Sequence, residues 1–151
     1  YMMLHAMRGI DLRGKRVLDF GTGTGVLAIL AERLGAGVVV AIDNDDWSIE
    51  NALENVEANG CSRIGVLKRD RVADVEGPFD VILANINKHV ILNEIQTLAQ
   101  QLTEDGVILL SGLLKDDAEE IENEAVKNNL SVSGLMTKGS WICLKCGKKP
   151  K

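Results

Sequence analysis

Proline is nearly missing from this chain, at 2 in 151 residues, and aromatic side chains make up only 3% of it. Without a periodic glycine and proline pattern it is not collagen-like, and with 46% hydrophobic residues it is not disordered. Apolar runs such as 38–42 and 107–110 fall far short of the roughly 18 residues that a membrane span needs. No signal-peptide pattern is present either. Cysteine is scarce and odd in number, at three, with Cys61 far from Cys143 and Cys146. That pattern fits a reducing compartment, read here as the cytoplasm, rather than a disulfide framework. The Cys143/Cys146 spacing has no second ligand pair, and His5 and His89 have no ligand spacing, so no metal site is expected. Positive charge is also short: 17 Lys and Arg against 22 Asp and Glu leave a formal net charge of −5. A broad electrostatic footprint for nucleic acid is therefore not expected, and neither is a membrane partner.

The length bounds the chain to one domain. Residues 16–20 form a short apolar run that ends in glycines, and Val26, Leu27, Ile29, Leu30 and Leu34 then recur at helical spacing up to Gly35. A β-branched run at 37–43 follows, then a helical segment at 46–59 with Gly60 as its stop. Runs at 64–67, 79–84 and 107–110 read as further strands. Helical patterning through Val90, Ile91, Ile95, Leu98, Ala99 and Leu102 separates the last two. Such alternation predicts a parallel sheet, and strands apolar at consecutive positions predict helices on both faces. A charged helix at 116–128 precedes two strands, 130–136 and 140–146, joined through Lys138 and Gly139 as a hairpin. The expected fold is α/β and Rossmann-like, a seven-stranded and mostly parallel sheet whose last strand is antiparallel. The tail 148–151 reads as frayed, and the apolar opening Tyr1-Met2-Met3-Leu4, with no initiator Met, reads as the start of a fragment.

Asp19-Phe20-Gly21-Thr22-Gly23-Thr24-Gly25 lies between the first strand and its helix, at the strand end where open parallel sheets bind ligands. Glycine lets the backbone turn sharply and lets a ligand lie against it. Asp43 ends the second strand about 20 residues on, where a carboxylate can accept hydrogen bonds from a ribose diol. A tight turn capped by an aspartate, with no ligand, would use the same residues; turn and acid together favour a nucleoside-bearing ligand. The pattern is G-x-G-x-G, with Val26 where a dinucleotide fingerprint has its third small residue, and no Gly-Lys-Ser/Thr follows to make a P-loop. Asp19 before the turn repels phosphates and suits a cation such as a sulfonium, which points to S-adenosylmethionine.

These residues resemble the class I S-adenosylmethionine-dependent methyltransferases, and more narrowly the catalytic domain of the enzymes that methylate large-subunit ribosomal protein L11. The resemblance runs through residues 17–29, Ala41-Ile42-Asp43, Leu83-Ala84-Asn85-Ile86, Leu109-Leu110-Ser111-Gly112-Leu113-Leu114 and Trp141, and covers nearly the whole chain. It implies a methyltransferase domain over 1–151, with the family's amino-terminal recognition domain and a Gly-Thr-rich loop lying upstream of Tyr1. It also implies that Gly21 and Gly23 approach the methionyl part of the cofactor, with Thr22 beside them. Asp43 would bind the ribose hydroxyls, flanked by Asn44, and Asn85 would stand where cofactor and acceptor meet. The substrate implied is a ribosomal protein, methylated on lysine or an α-amino group.

Methyl transfer from a sulfonium needs position and orientation more than acid or base chemistry. An amine must be neutral to attack, and acceptor-only partners favour that form. Asn85, with the backbone carbonyls of Ala84 and Ile86, supplies such partners. Ile86 follows Asn85 where enzymes acting on planar amides or bases carry Pro-Pro-aromatic, which disfavours those substrates. Trp141 either walls the acceptor pocket or covers the sheet; Trp47 either packs near the base or fills the core; Asp70 either meets the adenine amino group or is solvated. Ser111 and Gly112 are expected to end the fifth strand at the same rim, and His89 is left out of the site. The alternatives are a methyltransferase of RNA or of a small molecule, and an NAD-binding Rossmann protein.

Overall fold

The computed structural model describes residues 2–150. Its seven strands are β1 (Arg16–Phe20), β2 (Val38–Asp43), β3 (Ile64–Lys68), β4 (Phe79–Asn85), β5 (Leu102–Leu114), β6 (Leu130–Lys138) and β7 (Trp141–Lys148). The helices are α1 (Met2–Arg8), α2 (Val26–Arg33), α3 (Asp46–Ala58), α4 (Lys88–Gln100) and α5 (Ala118–Lys127). The strands lie in the order β3-β2-β1-β4-β5-β7-β6. The first five pair in parallel, and β7 runs antiparallel to both β5 and β6. Chain order reverses between β1 and β4, so their carboxyl ends open a crevice there.

Helix boundaries follow local chemistry. Asp45 caps α3 by accepting a hydrogen bond from the Ser48 N–H at 2.9 Å, and Asn87 caps α4 by accepting from Val90 N–H at 3.1 Å. Beyond α3 the chain leaves the helix at Gly60, whose φ of 65° is left-handed.

Successive residues of the central strands point to opposite faces, and both faces are covered. Leu18, Ile82 and Ile108 join Ile91, Ile95 and Leu98 of α4 in one buried cluster. Val17, Val81 and Leu109 join Leu27 and Ala28 of α2 and Met3 and Met7 of α1 in the other. Consecutive apolar residues in these strands are thus explained by helices on both sides. The expectation weakens at the edge, where no residue of β3 is buried and Val38 is 48% exposed.

Three parts of the chain differ from the sequence expectation. Residues 2–8 form a helix, because Met3 and Met7, one turn apart, drop into the second cluster. The fifth strand is longer at both ends than 107–110: Leu102 pairs with Phe79, and the strand continues past a bulge between Leu110 and Leu113. Ser111 and Gly112 therefore sit inside β5 and do not end it. The tail is held as far as Lys149, whose N–H donates to Asn129 O at 3.0 Å, while Tyr1 and Lys151 lie outside the described residues.

Candidate functional site

The chain leaving β1 is tied to β2 before it turns. Gly21 N–H and Thr22 N–H both donate to Ile42 O, at 3.0 and 2.9 Å. Gly21, Gly23 and Gly25 then adopt φ of 77°, 56° and 84°, left-handed values that disfavour any residue with a Cβ. Gly25 has a second reason to be small, since a Cβ there would lie 3.3 Å from Ala52 Cβ where α2 meets α3. At Gly23 a Cβ would meet nothing within 4 Å, so the turn presents bare backbone to open space.

Asp43 closes the turn from the neighbouring strand. Its Oδ2 accepts from Gly23 N–H at 2.9 Å and its Oδ1 from Asp45 N–H at 3.1 Å. Each carboxylate oxygen keeps a further lone pair for a ligand hydroxyl. Asn44 turns its amide to Asp70 and donates to Oδ1 at 3.0 Å. A cavity of about 410 Å³ opens here, lined by Gly21, Asp43, Asn44, Asp70, Ile86 and Val90 among others. Asp70, open to either reading from the sequence, thus lies at the cavity wall.

Asp19 does not face that space. It is fully buried beneath the turn, where Thr22 Oγ1 donates to its Oδ2 at 2.7 Å and Oδ1 has no partner among the described residues. Burial pushes its carboxyl up to about 6, against the pull of the Thr22 bond, and the charge of Asp43 adds to the rise. The expectation that Asp19 suits a cationic ligand is corrected to this extent: its side chain lies under the loop and lines neither cavity. Thr22 is drawn inward by the same bond, is 5% exposed, and supports the turn with its side chain rather than lining the cavity.

A second cavity, of about 690 Å³, lies on the other side of the β4 tip, lined by Met2, Met3, Asn85, Ser111, Gly112 and Trp141 among others. Asn85 is exposed at its wall, paired in register with Ser111 across β4 and β5. Trp141, 52% exposed, is a wall of this cavity and not a filler of the sheet surface. Trp47 is 73% exposed and lines neither cavity, so the reading that it fills the core is set aside. His89 is exposed and lines neither cavity.

Sequence reasoning missed the contributions of Met2, Met3, Lys138 and Gly139 to the larger cavity and of Arg69, Asn87 and Val90 to the smaller. The spacing of Met3 and Met7 was the available signal for α1. Nothing local to residues 87–90 could have placed them opposite Asp43.

The profile of the family described as ribosomal protein L11 methyltransferase (PrmA) matches residues 1–149. The chain belongs to this family. It is 39% identical over 136 residues to the ribosomal protein L11 methyltransferase of Bacteroides fragilis, covering 89% of this chain and 49% of that protein. To the protein of that name from Porphyromonas gingivalis it is 39% identical over 145 residues, 95% of this chain and 50% of the relative. The chain therefore spans about half the length of the curated relatives it matches. A crystal structure of ribosomal protein L11 methylase from Lactobacillus delbrueckii subsp. bulgaricus has the same fold, with a TM-score of 0.94 at 36% identity, over 99% of this chain and 77% of that one. A methyltransferase from Pyrococcus furiosus, 22% identical, shares the fold alone, with a TM-score of 0.85 over 100% of this chain and 81% of that one.

Proposed function

We propose that this chain is the catalytic domain of an S-adenosylmethionine-dependent protein N-methyltransferase acting in the cytoplasm, with lysine or α-amino groups of a large-subunit ribosomal protein as acceptors. The observation that carries the reading is the meeting of two cavities at one peptide unit: Asn85 lines the larger and Ile86 the smaller. A two-substrate transfer needs such an arrangement, with donor and acceptor held on either side of a shared boundary.

The residues around the smaller cavity suit S-adenosylmethionine. Gly23, outside the cavity's lining but hydrogen-bonded to Asp43 at its wall, leaves open the space that a Cβ would take, Asp43 offers lone pairs to the ribose diol, and Asp70 with Asn44 offers polar atoms toward the base end. Carboxylates at this wall suit a ligand without phosphates. When bound there, S-adenosylmethionine supplies a methyl group on sulfonium sulfur, a leaving group that needs no further activation.

The acceptor side is left to the chain's own groups. Met2, Met3 and Trp141 give the larger cavity apolar walls, which disfavour an ammonium and so help an amine enter in its neutral form. The Asn85 side-chain oxygen, with the backbone carbonyls at the end of β4, can accept the amine N–H bonds and orient the lone pair. No general base is needed beyond water. The ribosomal protein assignment rests on the family and on the amine-suited Asn85-Ile86 pair, and no nucleic-acid contact is part of it.

Calorimetry with S-adenosylhomocysteine and NAD tests the first half: binding of the former and not the latter is expected, and the reverse would refute the reading. Incubation with labelled S-adenosylmethionine and purified large-subunit ribosomal proteins tests the second, with label in one protein band expected and label in RNA or in no macromolecule against it.

A further inference from the structure

Glu94 is a buried acid that lines neither of the two cavities. It is 4% exposed on α4, its Oε1 accepts from Arg71 Nε at 3.3 Å, and its Oε2 has no partner among the described residues. Glutamate is seldom buried to this degree unless it is paired. The Arg71 side chain is 59% exposed, so water screens the attraction while Glu94 bears the cost of leaving water. Stability is therefore a poor reason for the pair.

Position gives a better one. Val90 and Glu94 lie one helical turn apart and so share a face of α4. Asp70 and Arg71 are consecutive residues in the loop that leaves β3. These four, with Asn93, line a third cavity of about 400 Å³, and Asp70 and Val90 line the smaller cavity as well. That part of the smaller cavity's wall is thus backed by open space rather than by packed core. Val72, two residues beyond Asp70, is held in the buried cluster with Ile91 and Ile95. Between Val72 and Asp70, the Arg71–Glu94 bond joins the loop to α4.

We infer that the Arg71–Glu94 pair is a strut for the base end of the cofactor cavity, fixing the distance between the β3 loop and α4, and with it the positions of Asp70 and Val90. Arg71 and Glu94 are positioning residues, which act on the nucleoside through Asp70 and Val90. The inference rests on the S-adenosylmethionine reading above and deepens it. A loop already held in its bound position has little freedom left to lose when the ligand enters, and preorganisation of this kind strengthens binding.

The test measures the Kd of S-adenosylhomocysteine by calorimetry and stability by urea unfolding, in the wild-type protein, in Arg71→Ala, and in Arg71→Ala combined with Glu94→Gln. Arg71→Ala is expected to raise the Kd about three- to tenfold, the scale of one loop side chain left to be ordered on binding. The double variant removes the stranded charge and should regain stability, yet the strut is still missing and its Kd should stay raised. Methylthioadenosine, which lacks the amino-acid end, should lose affinity by the same factor, because the effect lies at the base end. Affinity that returns together with stability in the double variant would show a merely structural pair and overturn the inference. So would an unchanged Kd in Arg71→Ala, or a loss confined to S-adenosylhomocysteine. Wild-type protein that binds no S-adenosylhomocysteine would instead overturn the methyltransferase reading itself.

Discussion

Asp43 accepts a hydrogen bond from the backbone N–H of Gly23 at 2.9 Å, tying the tip of β2 to the turn that follows β1. One carboxylate therefore both shapes the turn and stands at the wall of the cavity beside it. Asp43→Ala is expected to weaken S-adenosylmethionine binding by about 1–3 kcal/mol, the range for hydrogen bonds involving a charged group. Calorimetry on folded protein checks it, and a melting curve should show a separate, smaller loss of stability from the unpaired Gly23 N–H. Unchanged affinity would place the ribose elsewhere.

Gly21 and Gly23 are expected to fail in different ways. A side chain at Gly23 meets no protein atom within 4 Å, so Gly23→Val should fold and yet lose cofactor binding, at a stability cost of roughly 1–2 kcal/mol for the left-handed backbone. Gly21→Ala drives a methyl group into Ile86 and should lose more stability than Gly23→Ala. Urea unfolding of the two alanine variants compares them directly; equal losses would argue against the Ile86 contact.

Protonation of Asp19 gives stability a pH dependence with a definite sign. Burial raises the folded-state value to about 6, whereas an unfolded aspartate titrates near ~4. Between those values the folded protein holds a proton that the unfolded chain has released, so this group's contribution falls as pH rises through that window. Relative to Asp19→Asn, the wild-type protein should lose up to about 3 kcal/mol from pH 4 to pH 7. Urea midpoints of both proteins at several pH values measure the difference, and parallel curves would refute it.

Glu94 on α4 is 4% exposed and accepts from Arg71 Nε at 3.3 Å, while its Oε2 has no partner among the described residues. Arg71→Ala leaves that carboxylate buried without its cation and should destabilise by about 1–3 kcal/mol, moderated because water already reaches Arg71. Adding Glu94→Gln removes the stranded charge and should recover much of the loss. A double variant no more stable than Arg71→Ala would show that the pair does not matter.

Much of the site was legible before the fold was known because its signals are local. Glycine at 21, 23 and 25 answers a backbone requirement that no other residue meets at low cost, and Asp43 follows at the distance one βαβ unit imposes. Asn85 was picked out by the resemblance of residues 83–86 to the family. Direction was harder to read: Asp19, Thr22, Trp47 and Trp141 each have side chains suited to more than one environment. The pleat of β1 buries Asp19, whose carboxylate draws the Thr22 hydroxyl inward, and Trp141 faces a cavity that Met2 and Met3 of α1 also line.

The succession of strands and helices, the sharp glycine turn after the first strand and the cover of the central strands on both faces could be derived from residue types and spacing, since each leaves a pattern among near neighbours in the chain. The division into two cavities could not. It arises where Gly21, Ile86 and Gly112, separated by 65 and 26 positions in the numbering, come into contact across three strands. Packing between remote segments has no local signature, and it is that packing which turns one strand tip into a boundary between two chambers.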